Sequence, residues 1–534
     1  MLRVLGLQLR RDRLTLPIWI LGIAALIAAT SVAVKEEFAD SIDELLTVAL
    51  ATPALLALRG LPNGDTLGSA THFQGFAWLA VMIGLMNVFL ATRHGRADEE
   101  QGRRELVLAA PIRRLTPTLS TVVLAVIANT AFVALATGAY LVADLPLHGA
   151  LLSAVALGGI GLAFFGIALL AGELTPTSRS ANGIGVVAVL AAYALRAAGD
   201  ALGTPDLATF SLEPAWPSYV SPIGWGQLTL PFTSDAWGWL LPIAALAVVT
   251  TAAALVIHAR RDLGASLLRE RPGPATGGML LRSTFGLAWR LQRATLLAWA
   301  AGAAVLGVLL GSLVTAIANS DVSSPALEAV LQSLGHGDRG DLARALIPAI
   351  FGLVGILAAA AGVQAVFRLR DDEANGRAEE LLALPVSRVA WAGSGLLTGV
   401  LSTLAVLLAA GVAALVGFVV VGNPDDGWLS LGQSLVQAPA ALGFVAVAAL
   451  VVGLLPRVAV GAGWAIFGLG AVWGTLGGLF APPEWTLHLS PFYDVPALPV
   501  EDGADWGPVV VVAGIAIAAA ALALASVRRR DLTT

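Results

Sequence analysis

Over 534 residues the chain is 57% hydrophobic and only 13% charged, with a mean hydropathy of +0.82 and a formal net charge of −5. No soluble domain of this length carries that balance without aggregating, so a polytopic membrane protein is expected. The absence of cysteine excludes disulfides, thiolate metal sites and a cysteine nucleophile, and the six histidines are scattered without metal-ligand spacing.

A spanning helix needs about 20 apolar residues to cross about 30 Å of hydrocarbon. Twelve runs free of Asp, Glu, Lys and Arg reach or approach that length, at 14–34, 69–92, 115–143, 146–172, 180–195, 236–259, 294–318, 345–367, 389–422, 430–455, 458–480 and 507–527. Cytoplasmic loops hold the excess of Lys and Arg. With both termini inside, 26 of the 31 basic residues fall on the inner side, leaving only Lys35, Arg59, Arg196, Arg339 and Arg344 outside. A signal peptide is disfavoured, because the first apolar run is too long for one and its basic flank recurs in mid-chain. Lys35 is the only lysine, and with the excess of Ala, Gly and Val this fits a high-GC bacterial gene.

The loops fall into kinds. Arg3–Arg13 and Arg282–Arg293 precede the first and seventh runs and have the spacing of helices lying in the inner interface. The segments 35–68 and 321–344 are acidic and amphipathic, with Phe38, Ile42, Leu45 and Leu46 on one predicted face and Leu327, Val330, Leu331 and Leu334 on the other copy's. The segments 200–235 and 481–505 hold Pro, Trp and Phe with few charges, which predicts helix pairs dipping back into the outer leaflet.

The chain repeats itself. Arg96, Asp98, Glu99, Gly102, Arg103, Glu105, Pro111 and Arg114 recur 274 residues later as Arg370, Asp372, Glu373, Gly376, Arg377, Glu379, Pro385 and Arg388, while Leu106 becomes Glu380. Gly6, Leu7, Arg10, Arg13, Trp19 and Gly22 recur at an offset of 280, from Gly286 to Gly302. Pro214, Trp216, Ser221, Pro222, Trp237, Gly238, Arg261 and Asp262 recur at an offset of 269, from Pro483 to Asp531. The predicted fold is therefore an all-α integral membrane protein of twelve transmembrane helices in two parallel six-helix repeats, 1–263 and 283–534, joined by a cytoplasmic linker at 264–282.

A P-loop needs a lysine after a glycine-rich turn, and Lys35 lies between Val34 and Glu36, so the chain has no such ATPase site; nor does it show an enzyme motif. Secondary transporters usually carry Asp, Glu or His inside their spans. Here the predicted spans lack charged residues and hold few deep polar groups, chiefly Asn87, Asn129, Asn182 and Gln364. The plain reading of these is hydrogen bonds between helices. Asn87 and Gln364, near matched ends of the second and eighth runs, are the candidates for a substrate pathway. A merely solvated loop constrains how many charges it has and not their order. The repeated order therefore predicts a short helix with Glu99, Arg103 and Leu106, or Glu373, Arg377 and Glu380, on the side that docks into a partner's groove.

A basic interface helix, six spans, a loop of the form Glu-x-x-Gly-Arg-x-Glu-x-x-x-x-x-Pro after the second, and Trp/Pro segments before the sixth resemble the ABC-2 type of ABC transporter permease, a type V exporter-like architecture. With both halves fused, the chain is most similar to actinobacterial permeases for polyketide antibiotics, of the tetronasin-exporter type. The resemblance implies two copies of a separate ATP-binding subunit that bring ATP and Mg2+, with no cofactor or metal in this chain and no nucleic acid partner. It implies coupling helices at Asp98–Arg114 and Asp372–Arg388, with Asp98, Glu99, Gly102, Arg103, Glu105, Asp372, Glu373, Gly376, Arg377 and Glu379 as the coupling residues. It implies elbow helices at Arg3–Arg13 and Arg282–Arg293 and a cavity between the halves open to the inner leaflet. An outer gate would include Trp216, Pro222, Trp485 and Pro491. The substrate would be a hydrophobic or amphipathic small molecule or lipid, exported across a bacterial plasma membrane. Glu100 becomes Ala374 and Leu106 becomes Glu380, so the two docking sites need not be equal. The rival expectation is a major-facilitator-type proton-coupled transporter, whose loop Gly95, Glu99, Gly102 and Arg103 imitate in spacing; the missing span carboxylates count against it. A scaffold or lipid-modifying enzyme has no motif in its favour.

Overall fold

The computed structural model describes residues 1–39, 41–268, 276–318, 339–476, 483–498 and 506–530. They are mostly helical and divide into two compact units, Met1–Pro272 and Gly273–Thr534. Eleven helices among the described residues are long and apolar enough to cross a membrane.

In the first unit α1 (Leu2–Arg11) leads into the spans α2 (Thr15–Phe38), α5 (Leu67–His94), α8 (Thr116–Leu141), α9 (Leu147–Leu174), α10 (Ser178–Ala201) and α12 (Leu240–Arg260). The short helices α6 (Arg96–Glu100) and α7 (Arg103–Leu108) follow α5 at what is termed the loop end. At the far end lie α3 (Ile42–Ala51), α4 (Pro53–Arg59), the strands β1 (Thr204–Asp206) and β2 (Ser211–Glu213) and α11 (Pro222–Gln227).

Helix α9 is the hub, packed on α5, α8, α10 and α12. Lipid tails are as apolar as leucine, so helices in a bilayer associate by close packing and need small residues where backbones meet. Helix α9 supplies them on several sides. A Cβ on Gly158 would crowd Val133 of α8, one on Gly166 would sit 2.1 Å from Thr250 Oγ1 of α12, and one on Gly161 would lie 2.5 Å from Asn87 Nδ2 and 2.6 Å from Asn129 Oδ1. Between these helices Phe76, Ile83, Phe132, Leu157, Phe164 and Phe165 form the core. A smaller cluster at the far end joins Leu46 and Leu50 of α3 to Leu56, Leu61, Phe73 and Leu212.

The second unit holds α13 (Thr284–Ala318), α14 (Arg339–Ala374), α15 (Arg377–Leu382), α16 (Arg388–Val421), α17 (Pro424–Val436), α18 (Ala438–Leu454), α19 (Ala459–Leu476), α20 (Glu484–Leu487) and α21 (Gly507–Arg529). Its long helices touch in the order seen in the first unit: α13 on α14 and α16, α14 on α16, α18 and α19, and α18 on α16, α19 and α21. Small residues again sit at the closest approaches. A Cβ on Gly362 would meet Thr403 Oγ1 of α16 at 2.2 Å, and one on Gly453 would meet Ser526 Oγ of α21 at 2.1 Å.

Several expectations change. The run at 458–480 is covered by a helix whose apolar stretch, Ala459–Gly474, is shorter than the eleven candidate spans, and residues 477–482 are outside the described set. The basic segment Arg282–Arg293 forms no separate interface helix, because α13 continues unbroken from Thr284. Residues 200–235 form a hairpin, a 3-10 turn at Trp216–Val220 and α11, in place of a helix pair; Asp206 closes the hairpin turn by accepting from the Ala208 N–H at 3.0 Å. The acidic segment 321–338, with Leu327, Val330, Leu331 and Leu334, lies outside the described residues, as do residues 269–275 of the linker. In its counterpart Phe38 closes α2, and the buried face of α3 is Leu46, Ala49 and Leu50.

The spans are also less free of charge than predicted. Glu173 lies within α9, and Arg196 and Asp200 lie within α10, which runs past the expected end at 195. Arg196 is fully buried: it pairs with Asp200 at 3.2 Å and donates to the carbonyls of Leu56 (3.3 Å) and Ala57 (2.7 Å) in the last turn of α4.

Gly161→Ala should lower the thermal midpoint in detergent, since overpacking costs about 1–3 kcal/mol. Gly138→Ala, at a site with nothing within 4 Å, should leave it unchanged or raise it. Fluorescence-detected size exclusion after heating separates the two, and equal midpoints would refute the close-packing account.

Candidate functional site

The repeated loop is built around a buried carboxylate. Helix α5 ends at His94, α6 adds one turn, and Gly102, at φ +69°, turns the chain in the left-handed region before α7 begins. A Cβ disfavours that backbone, which accounts for glycine here. The second copy repeats it, with Gly376 at φ +73° between α14 and α15. The single short helix predicted for the loop is thus broken at the glycine, placing Glu99 on one piece and Arg103, Glu105 and Leu106 on the other.

Glu99 points inward, with its side chain 1% exposed. Its Oε1 accepts from Arg104 Nη1 at 2.5 Å, and its Oε2 from Arg96 Nη1 at 3.2 Å and Arg261 Nη2 at 2.7 Å. Arg261 follows α12 and also pairs through Nε with Glu173 of α9, which bonds His258 Nδ1 at 3.0 Å. Arg96 further donates to the carbonyls of Pro176, Gly264 and Ala265, and Arg104 reaches Thr118 Oγ1 of α8 at 2.5 Å. Burial alone would lower the pKa of Arg261; hydrogen bonds and attraction from Glu173, then Glu99, reverse this and hold it above its ordinary value. Glu99 therefore ties together α6, α7 and the end of α12, and Arg261 carries the link on to Glu173 of α9.

The second unit has a thinner version. Glu373, 2% exposed, accepts from Arg530 Nη2 at 2.6 Å and Arg370 Nη1 at 3.3 Å. Ala378 stands in place of Arg104 at the offset of 274, and Val527 in place of His258 at the offset of 269. Asp98 and Asp372 carry the second recurring pair, accepting from Arg103 Nε at 2.8 Å and Arg377 Nε at 2.9 Å. Asp98 also accepts from Arg11 Nη1 of α1 at 2.6 Å. What remains outward-facing on α7 is Glu105 and Leu106, the leucine 77% exposed; on α15 it is Glu379 and Glu380.

Residues 281–528 match the family model described as the C-terminal domain of the multidrug efflux system permease Rv1217c. Over 538 aligned residues, 99% of this chain and 95% of the relative, the sequence is 33% identical to the multidrug efflux system permease protein Rv1217c of Mycobacterium tuberculosis. The chain belongs to the multidrug efflux permease family. It is a multi-pass membrane protein, with eleven apolar spanning helices among its described residues.

The other predicted residues of this efflux permease are not gathered in one place. Asn87 is wholly buried and exchanges hydrogen bonds with Asn129 at 3.1 and 2.8 Å, which is the helix-packing role. Gln364 is exposed on α14 and accepts from Trp299 Nε1 at 2.8 Å. Trp216 and Trp485 are 71% and 68% exposed. Pro222 opens α11 beside Ser221, whose hydroxyl donates to Ala192 O at 2.6 Å; Ser490, beside Pro491, donates to Gly470 O at 2.7 Å. Both far-end segments are thus tied through a serine to an adjacent long helix. Among the described residues no three His, Asp or Glu side chains are placed to hold a metal ion.

Arg261 and Arg530, recognised in the sequence only as a repeat signature, are the partners of Glu99 and Glu373. The unforeseen Asp12, with its side chain fully buried after α1, is held by Arg93 Nη1 and His94 Nε2, both at 2.5 Å. Burial would raise its pKa; His94, then Arg93, outweigh that and leave it below the ordinary 3.8.

Glu99→Gln should cost far more stability than Glu105→Gln, because breaking a buried ion cluster typically costs about 3–5 kcal/mol and an exposed one about 0–1. Comparable midpoints for the two variants would refute the buried-cluster assignment. Because the folded pKa of Asp12 is depressed, its stabilisation is complete above the unfolded pKa and lost as pH falls through the folded one. The gap in midpoint between wild type and Asp12→Asn should therefore hold from about pH 7 to about 5 and close only below about 4.

Proposed function

We propose that this efflux permease is the membrane-spanning subunit of an ATP-driven ABC exporter of amphipathic or apolar compounds. Two copies of a separate ATP-binding subunit dock from the cytoplasm on α7 and α15 and bring the ATP and Mg2+, the chain itself having no hydrolytic site. The observation that carries this reading is the construction of the two loops. Each places a left-handed glycine after a buried, arginine-held glutamate, and each leaves a short helix facing outward with acidic residues that nothing in its own unit needs. A helix so exposed yet so firmly based suits transmission of force from a soluble partner. In this reading Glu99 and Glu373 position the docking helices, and Glu105, Leu106, Glu379 and Glu380 make the contact.

The inner position of both termini rests on the 26 basic residues that fall on one side. The parallel twelve-span duplication rests on the offsets and on the same neighbour scheme in each unit. A proton-coupled alternative needs a carboxylate that can be reached and discharged. Glu173 and Asp200 are instead buried and already paired with Arg261 and Arg196, which favours structural use.

Reversing charge at Glu105 and Glu379 together should abolish efflux while leaving insertion and folding intact. Purification of the wild-type chain from its native membrane in mild detergent should bring a P-loop ATPase at two copies per permease, and the double variant should lose it. Undiminished efflux from a normally inserted double variant, or a chain that purifies alone and transports on a proton gradient, would overturn the proposal.

A further inference from the structure

At the far end of the first unit, α2, α4, α5 and α10 enclose an open cavity of about 560 Å3. Phe38, Trp78 and Tyr193 give it aromatic walls. These are fixed in place: Tyr193 Oη donates to Leu58 O at 2.6 Å while Arg196 covers its ring at 4.4 Å, and Trp78 Nε1 donates to Gln74 O at 3.1 Å. The polar side chains lining it are Arg59, Gln74 and Glu37, with Thr30.

Two of these are unsatisfied in a way the fold does not require. Arg59 is half-buried at the end of α4 and has neither an ion pair nor a hydrogen bond among the described residues. Burial pushes its pKa down with nothing to offset the lost hydration. Gln74 is only 8% exposed, and its Oε1 is buried without a partner. Buried polar groups are almost always paired, and each exception calls for an explanation. A bound anion explains the unpaired Arg59 and can accept from the Gln74 amide N–H; the buried Gln74 Oε1, itself an acceptor, gains no partner from it.

We propose that this cavity is a binding site for an amphipathic organic anion. A carboxylate or phosphate group takes the Arg59 guanidinium, Gln74 offers its amide to the same headgroup, and an apolar body lies on Phe38, Trp78 and Tyr193. The sign follows from burial. A charge-assisted bond gains most at the partly desolvated guanidinium, whereas Glu37 is exposed and fully hydrated, so a cation there would gain little. The same headgroup chemistry is offered by a carboxylated drug-like molecule and by an anionic phospholipid. The site goes beyond the ATP-driven reading and does not depend on it, because it is made by the first unit alone.

The test is binding of 11-(dansylamino)undecanoic acid to the purified full chain in phosphatidylcholine nanodiscs, with no ATPase and no nucleotide present. Saturable binding is expected, about tenfold or more weaker with Arg59→Gln, partly kept with Arg59→Lys, and weak for the dansylated amine of equal length. Leu58→Trp, which fills the cavity and leaves Arg59 in place, should abolish binding and guards against a misfolded Arg59 variant. Competition by phosphatidylglycerol would identify a lipid headgroup as an occupant. Indifference to that lipid with displacement by soluble carboxylates would identify a drug-like one. Equal affinity for acid and amine, or binding unmoved by both Arg59→Gln and Leu58→Trp, overturns the site.

Discussion

A carboxylate with no access to water and three guanidiniums around it sets the geometry of the loop end. Glu99 receives Arg96, Arg104 and Arg261, and Arg261 also holds Glu173, so α6, α7, α9 and the end of α12 meet at one charge cluster. Removing water from such ions is costly, and the cluster repays that cost only while every member is present. The arrangement is therefore all-or-none. The glutamate must be one turn past α5, the left-handed glycine must reverse the chain after it, and the arginine must sit just beyond the last span of the unit. These demands recur in the second copy, where Glu373, Gly376 and Arg530 stand in the same relation. Helix α7 is consequently linked through Glu99 and Arg261 to the end of α12 and to α9.

The two copies share this core and differ around it. In the first unit α1 stops at Asp12, which the end of α5 grips through Arg93 and His94, and Arg11 reaches Asp98, just before α7. At the offset of 280 the corresponding residues are Leu291 and Gln292, neither able to make those ion pairs, and α13 runs on without a break. Ala378 and Val527 remove two more members of the cluster. The ion pairs that fasten the first copy to α1 thus have no counterpart at these positions of the second. Glu380, where the first copy has Leu106, adds a difference in the exposed faces of α7 and α15.

What the sequence makes legible is what depends on length, composition and order. Spans could be read because a bilayer demands a run of apolar residues, and the duplication because identical residues recur at fixed offsets. The contact between Glu99 and Arg261 could not be read, although each was recognised as repeated, because two matches at different offsets do not say that 162 residues of chain bring them together. Arg196 was placed outside the membrane because an arginine is expensive in apolar surroundings. The structure meets that cost with Asp200 and the Tyr193 ring on its own helix and with two carbonyls from the end of α4, about 140 residues away, which the sequence does not connect to it. The hairpin at the far end rests on strands of three residues, too short to leave an alternating pattern. The break between α1 and α2 was legible from the basic segment before the first apolar run, but the grip of Arg93 and His94 on Asp12 was not, because those partners lie some 80 residues away.

The strength of the fastenings varies along the first unit. At the loop end the helices are joined by buried ion pairs, each costing several kcal/mol to break with one partner left behind; at the far end Arg196, paired with Asp200 of its own helix, ties α10 to α4 through the carbonyls of Leu56 and Ala57. In the middle α5, α8 and α9 are held by close packing around Gly158 and Gly161 and by the neutral Asn87 and Asn129 pair, a kind of contact that averages about 0.6 kcal/mol in bilayers. Sliding two such helices apart would nevertheless expose the asparagine amides to hydrocarbon and pull on the charge cluster at the loop end. Separating the spans within this unit is thus opposed most strongly at that end, even where the middle contacts are weak.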